Sequence, residues 1–108
     1  MIDIDIVKNH CRIDPDFNDD DNLLTIYTNS AARHVEKWTR RTIYKSETDE
    51  GYAEDEDHLL LTDDVKSAML LLIGHWYESR EAATSGPAVS TVPFGVEAIL
   101  QPYRIYGL

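Results

Sequence analysis

Apolar and polar positions alternate along this chain with a helical period for most of its length. In Val65 to Arg80, VKSAMLLLIGHWYESR, apolar residues fall at Val65, Met69, Leu72 and Trp76, in steps of four, three and four. That spacing is one face of an α-helix. Ala68 and Leu71 lie on a second face; Leu70, Ile73 and Tyr77 lie on a third. A helix apolar nearly all round must be covered on several sides. Lys66, Ser67, Gly74 and His75 interrupt it too often for a membrane span. Neighbouring copies of the chain are therefore expected to supply part of the cover.

The same reading places three other helices. Ile4, Val7 and Cys11 share a face, and Asp3 suits an N-cap, so a short first helix is expected over about 4–11. Asp14-Pro15-Asp16 is expected to stop it. A second helix is expected over about 20–41, with Leu23, Leu24, Tyr27, Ala31, Val35 and Trp38 as its buried stripe. Asp19 to Asp21 at its start suit the helix dipole, and Arg40-Arg41 suit its end. Thr62 caps the central helix, which is expected to end near Ala83. Pro93 opens a last helix, roughly 93–101. Between the second and central helices, Thr42-Ile43-Tyr44 and His58 to Leu61 have strand character. A small β-hairpin at about 42–61, or a long exposed loop, is expected there. Residues 84–92 read as a mobile loop and 103–108 as an apolar tail. The whole is a single all-α domain, 1–108: a small bundle of three main helices and a short N-terminal one.

Charge changes this picture at two places. The net charge is −10, from 20 acids and 10 bases. Residues 14–21 hold five acids and no base, and residues 47–57 hold seven and no base. The remaining eight acids face ten bases, so a near-neutral scaffold carries two acidic segments. A nucleic-acid grip needs clustered Lys and Arg opposite phosphates, and Arg40-Arg41 is the only adjacent basic pair. Acids 54–57 (Glu54, Asp55, Glu56, Asp57) are the candidates for a surface that repels DNA. Neither acidic run has the spaced ligands of a calcium loop.

Catalytic chemistry finds little support. Cys11 is the single cysteine, so no intrachain disulfide forms, and a small core role suits it. No secretory leader is read at MIDIDIVKNH, so cytoplasmic synthesis is expected. His75 and Glu78 are three apart on the central helix, where a surface hydrogen bond is the plainer reading than acid–base work. His10, His34 and His58 lack ligand partners at metal spacing, and no glycine-rich phosphate loop is present. No cofactor, metal or enzymatic activity is expected. Trp38 and Trp76 read as core. Leu70, Ile73, Tyr77, Tyr103 and Tyr106 are the candidate subunit or partner interface, because amphipathic aromatics off the main stripe suit such surfaces.

Two segments carry a resemblance. Ala68 to Ala82, AMLLLIGHWYESREA, and Val92 to Arg104, VPFGVEAILQPYR, resemble the C-terminal half of the tailed-phage head–tail connectors, also labelled phage DNA-packaging proteins. Val7 to Asp14, the acids after it, Leu23-Leu24, and Ala31-Ala32 to Trp38-Thr39 are similar to that family's opening helices. Residues 44–58 match nothing in it. The resemblance implies a helical virion protein without enzymatic activity or cofactor. It implies a homo-oligomeric ring beneath the portal that extends the channel for genomic DNA and offers a docking surface to a tail or head-completion protein. A monomeric acidic binding module, such as a DNA mimic, is the alternative that net charge alone permits.

Overall fold

The computed structural model describes residues 2–82 and 94–105. The described residues form four α-helices, α1 (Ile4–His10), α2 (Asp21–Thr39), α3 (Asp63–Ala82) and α4 (Phe94–Leu100), and one small sheet of β1 (Thr42–Tyr44) and β2 (His58–Leu60). A 3-10 turn, Gln101–Tyr103, follows α4. The protein is a mostly helical small bundle, as its periodicity requires.

The helix ends follow local chemistry. Asp3 caps α1, its carboxylate accepting from the Asp5 N–H at 3.2 Å. The helix stops before the proline is reached. Arg12 takes a left-handed conformation (φ 59°), its N–H donates to the Asn9 carbonyl, and the Ile13 N–H donates to the Lys8 carbonyl at 2.8 Å. That pair of bonds is a Schellman ending, here built on arginine rather than glycine. Arg40 ends α2 in the simpler left-handed cap, with φ 63° and a single bond from its N–H to the Glu36 carbonyl. Inside α2, the buried hydroxyls of Thr28 and Thr39 donate to the carbonyls four residues earlier, at 2.8 and 2.7 Å. Both polar side chains are thus satisfied within their own helix.

The strands differ from the expected hairpin. β1 and β2 pair in parallel, with Thr42 opposite His58, Ile43 opposite Leu59 and Tyr44 opposite Leu60. Parallel strands cannot be joined by a tight turn and need a crossover of about a dozen residues. Residues 45–57 are that crossover, so the acidic segment is a structural connection as well as a charge run. Ile43 and Leu59, paired at the centre of the sheet, are buried in the core.

The packing of α3 also corrects an expectation. Val65, Ala68, Met69, Leu72 and Ile73, taken from all three of its apolar faces, are fully buried within the chain. The helix packs against α2 and α4, with α1 beside it, and these supply Leu24, Ala31, Val35, Val7, Val96 and Leu100 to the same core. Only Leu71, at 36%, is exposed among its large apolar residues, while Leu70, Trp76 and Tyr77 are half-buried. A single chain therefore covers most of what was expected to need neighbours. The short first and last helices do this by closing the sides that α2 leaves open.

Candidate functional site

Asp14, Asp20 and Asp21 of the first acidic run are taken up by internal contacts, while Asp16 and Asp19 are exposed. Lys8, 3% exposed, sits beneath it. Its ammonium pairs with Asp21 at 2.9 Å and donates to Asn18 Oδ1 at 2.9 Å and to the Pro15 carbonyl at 3.2 Å. A buried ammonium is tolerable only when its donors are met, and here three oxygens meet them. Asp14 accepts from the Asp16 N–H at 2.9 Å, and Asp20 accepts from the Tyr77 hydroxyl at 2.7 Å. The run thus locks α1, the loop after it and α3 to the start of α2. Sequence reasoning missed Lys8. The available signal was a lone lysine on α1 shortly before a run of five acids, 14–21, that contains no base.

The second acidic run divides into two kinds of carboxylate. Asp49 accepts from the backbone of Lys45 at 2.7 Å and of Ser46 at 3.3 Å. Asp55 accepts from the Tyr44 hydroxyl and from the Asp57 N–H, both at 2.9 Å. Tyr52 stacks on His58 with ring centroids 3.9 Å apart, and its edge meets Tyr44 at 5.7 Å. These contacts shape the crossover. The Tyr44 phenol is held above its ordinary value, first by that hydrogen bond to Asp55 and then by desolvation and nearby carboxylates. Glu47, Glu50, Glu54, Glu56 and Asp57 are exposed, and their carboxylates make no hydrogen bond or ion pair. Of the four acids expected to face a channel, Glu54, Glu56 and Asp57 are free on the surface and Asp55 is an internal brace.

The expected interface residues also separate. Ile73 is fully buried by its own chain and presents nothing to a partner. Leu70 and Tyr77 are half-buried. Tyr103 is half-buried and braced at both ends: its hydroxyl donates to Asp64, and its carbonyl accepts from Arg41 Nε at 2.6 Å. The Ile105 N–H donates to the Thr39 carbonyl at 2.9 Å, and the Arg104 guanidinium lies 4.5 Å from the Trp38 ring centre. Residues 103–105 therefore strap α2 and α3 of the same chain rather than reaching outward. Tyr106 and the expected mobile loop 84–92 lie outside the described residues. Among the described residues the large apolar side chains that are exposed are Ile6, Phe17, Ile26 and Leu71, none of them in the expected interface set.

A cavity of about 460 Å³ between α1 and α3 gathers the residues weighed for chemistry. His10, Cys11, His75 and Glu78 line it. Gly74 lets α1 approach: a Cβ there would stand 2.8 Å from His10 Nε2. His75 and Glu78 share no hydrogen bond, and His75 Nε2 is buried without a partner. Burial and the Glu78 carboxylate push the Cys11 thiol up, which keeps it protonated and poor as a nucleophile. Among the described residues no group of three or more His, Cys, Asp or Glu is placed to hold a metal ion.

The fold is a helical bundle whose charged segments serve as braces and as exposed surface, and a comparison with known families gives it a context. A family model described as phage gp6-like head-tail connector protein matches residues 1–104. The chain belongs to this family. No curated protein and no solved structure matches it. The connector family has a structural role in phage virions, at the junction of head and tail. The match includes the crossover 45–57, which the sequence resemblance left uncovered. No described helix of this connector is long and apolar enough to cross a membrane.

Proposed function

We propose that the protein is a head-completion subunit that assembles into a ring beneath the portal, continues the DNA channel and gives the tail its docking surface. The family match over residues 1–104 carries this reading. The structure supports it in two ways. The subunit is braced by several chain-distant hydrogen bonds, Tyr77 to Asp20 and Tyr103 to Asp64 among them, as a part that must hold its shape under a load benefits from being. Glu56 and Asp57 are exposed with their carboxylates unpaired, and such groups repel phosphate wherever they face a duplex.

Phage assembly without this protein tests the reading. The expected result is DNA-containing heads and complete tails that do not join, with joining restored when purified protein is added. Tailed particles formed at the normal yield without it would overturn the reading.

A further inference from the structure

The burial of most of α3 weakens the apolar reason for self-association that its spacing offered, and leaves the polar surface as the stronger candidate. On α2, Arg33 and Lys37 are exposed and His34 is half-exposed, one helical turn apart. With Ser30 and the edge of Trp76 they line a groove of about 340 Å³. Trp76 is held there by Tyr27, whose ring centroid is 5.9 Å away. Arg33, His34 and Lys37 make no ion pair or side-chain hydrogen bond within the chain. Three adjacent cationic or ionisable groups left unpaired are unusual on a chain of net charge −10.

The complement lies on the same molecule. The crossover carries a hollow of about 490 Å³ lined by Glu47, Asp49, Glu50 and Glu54. Asp49 is spent on the Lys45 and Ser46 backbone, but Glu47, Glu50 and Glu54 are exposed and unpaired. The hydrogen bonds that shape the crossover fix this hollow in advance, so a partner's long cationic side chain enters it without ordering a loop.

We infer that the α2 groove of one copy docks the acidic crossover of the next, with Arg33 and Lys37 entering the hollow rimmed by Glu47, Glu50 and Glu54. The inference rests on the ring reading and names the contact that closes it. Two different, mutually complementary patches on each copy make a head-to-tail contact, the type that closes into rings when its rotation permits. Opposite charges facing each other fix the register and disfavour pairings that set acid against acid. The contact is rich in exposed ion pairs, so it weakens as salt is raised.

Charge reversal tests the pairing, read by sedimentation velocity of the full chain with and without the portal protein. One variant carries R33E and K37E; a second carries E47K, E50K and E54K; a third carries all five. Every position is exposed, so folding is checked simply by matching helical circular dichroism. Each single-sided reversal is expected to weaken association by about tenfold or more, and the five-fold variant to recover to within about threefold of the wild type. If wild type assembles and the one-sided reversals assemble equally well, the pairing is wrong while the ring stands. If the crossover variant assembles normally and its rings retain more DNA, the acids line the channel wall and the pairing is likewise wrong. If wild type forms no oligomer under either condition, the ring reading and the pairing fall together.

Discussion

The α2–α3–α4 packing and the acidic crossover 45–57 are both ordered, yet different forces order them. In the first, Leu24, Val35, Met69, Leu72 and Leu100 are withdrawn from water, and each fully buried large side chain contributes roughly 1.5–3 kcal/mol before entropy is counted. In the second, little apolar surface is hidden. Asp49 and Asp55 tie down backbone N–H groups, and Tyr52 lies between Tyr44 and His58. A hydrogen bond of this kind nets only about 0.5–1.5 kcal/mol. The core therefore sets whether the chain folds, and the crossover sets what the folded chain displays. A part with many weak local ties can be recharged on its outer face without disturbing the whole.

Cutting into the core is the harshest way to probe that division. Leu72→Ala removes a fully buried side chain at the centre of α3 and is expected to cost about 2–5 kcal/mol, read by urea denaturation. A cost below about 1 kcal/mol would mean that α3 is not the organising helix. The buried lysine comes next. Lys8→Ala removes an ion pair and two hydrogen bonds, and about 1–3 kcal/mol should be lost as Asp21 and Asn18 lose their partner. Within the crossover the two kinds of acid should part company. Asp55→Ala should cost about 0.5–1.5 kcal/mol and speed hydrogen exchange at Asp57, whereas Glu56→Gln should stay within about 0.5 kcal/mol. Equal effects from the two would erase the distinction between brace and display.

The gentlest probe is pH. The Tyr103 hydroxyl, donating to Asp64, holds that carboxyl below its ordinary value. A carboxyl depressed in the folded state favours folding above its unfolded value, near about pH 4, and the benefit fades as pH falls through the lower folded value. The same bond raises the Tyr103 phenol, whose share is present below its unfolded value near about pH 10 and fades as pH rises through the folded one. Tyr103→Phe should return the Asp64 titration upward, followed by carboxyl-resolved NMR. An unmoved Asp64 curve would show that the strap 103–105 is held by Arg41 and the Thr39 carbonyl alone.

The core was legible because burial leaves a period in the sequence. Leu24, Ala31 and Val35 recur at helical spacing, and Asp3 marks a helix start within a run that alternates like a strand. Parallel pairing of β1 and β2 was not legible, since two three-residue apolar runs look the same in either direction. Nor was the cover of α3. It depends on how short helices close around a long one, which local spacing does not encode. Tyr77 and Asp20, 57 positions apart, meet only because α2 and α3 pack together. The interface set failed at Ile73 for a related reason: faces of a helix can be read from spacing, but which face the rest of the chain takes cannot. The two acidic runs look alike in composition, yet Asp21 of one pairs with the buried Lys8 while Asp49 and Asp55 of the other tie only their own segment and Tyr44.

Electron cryo-microscopy of the purified protein mixed with its portal examines the central claim most directly. Closed rings coaxial with the portal are expected, in which α2 of each subunit faces the 45–57 crossover of the next. Single subunits bound to the portal without touching one another, or no binding at any protein concentration, would contradict it.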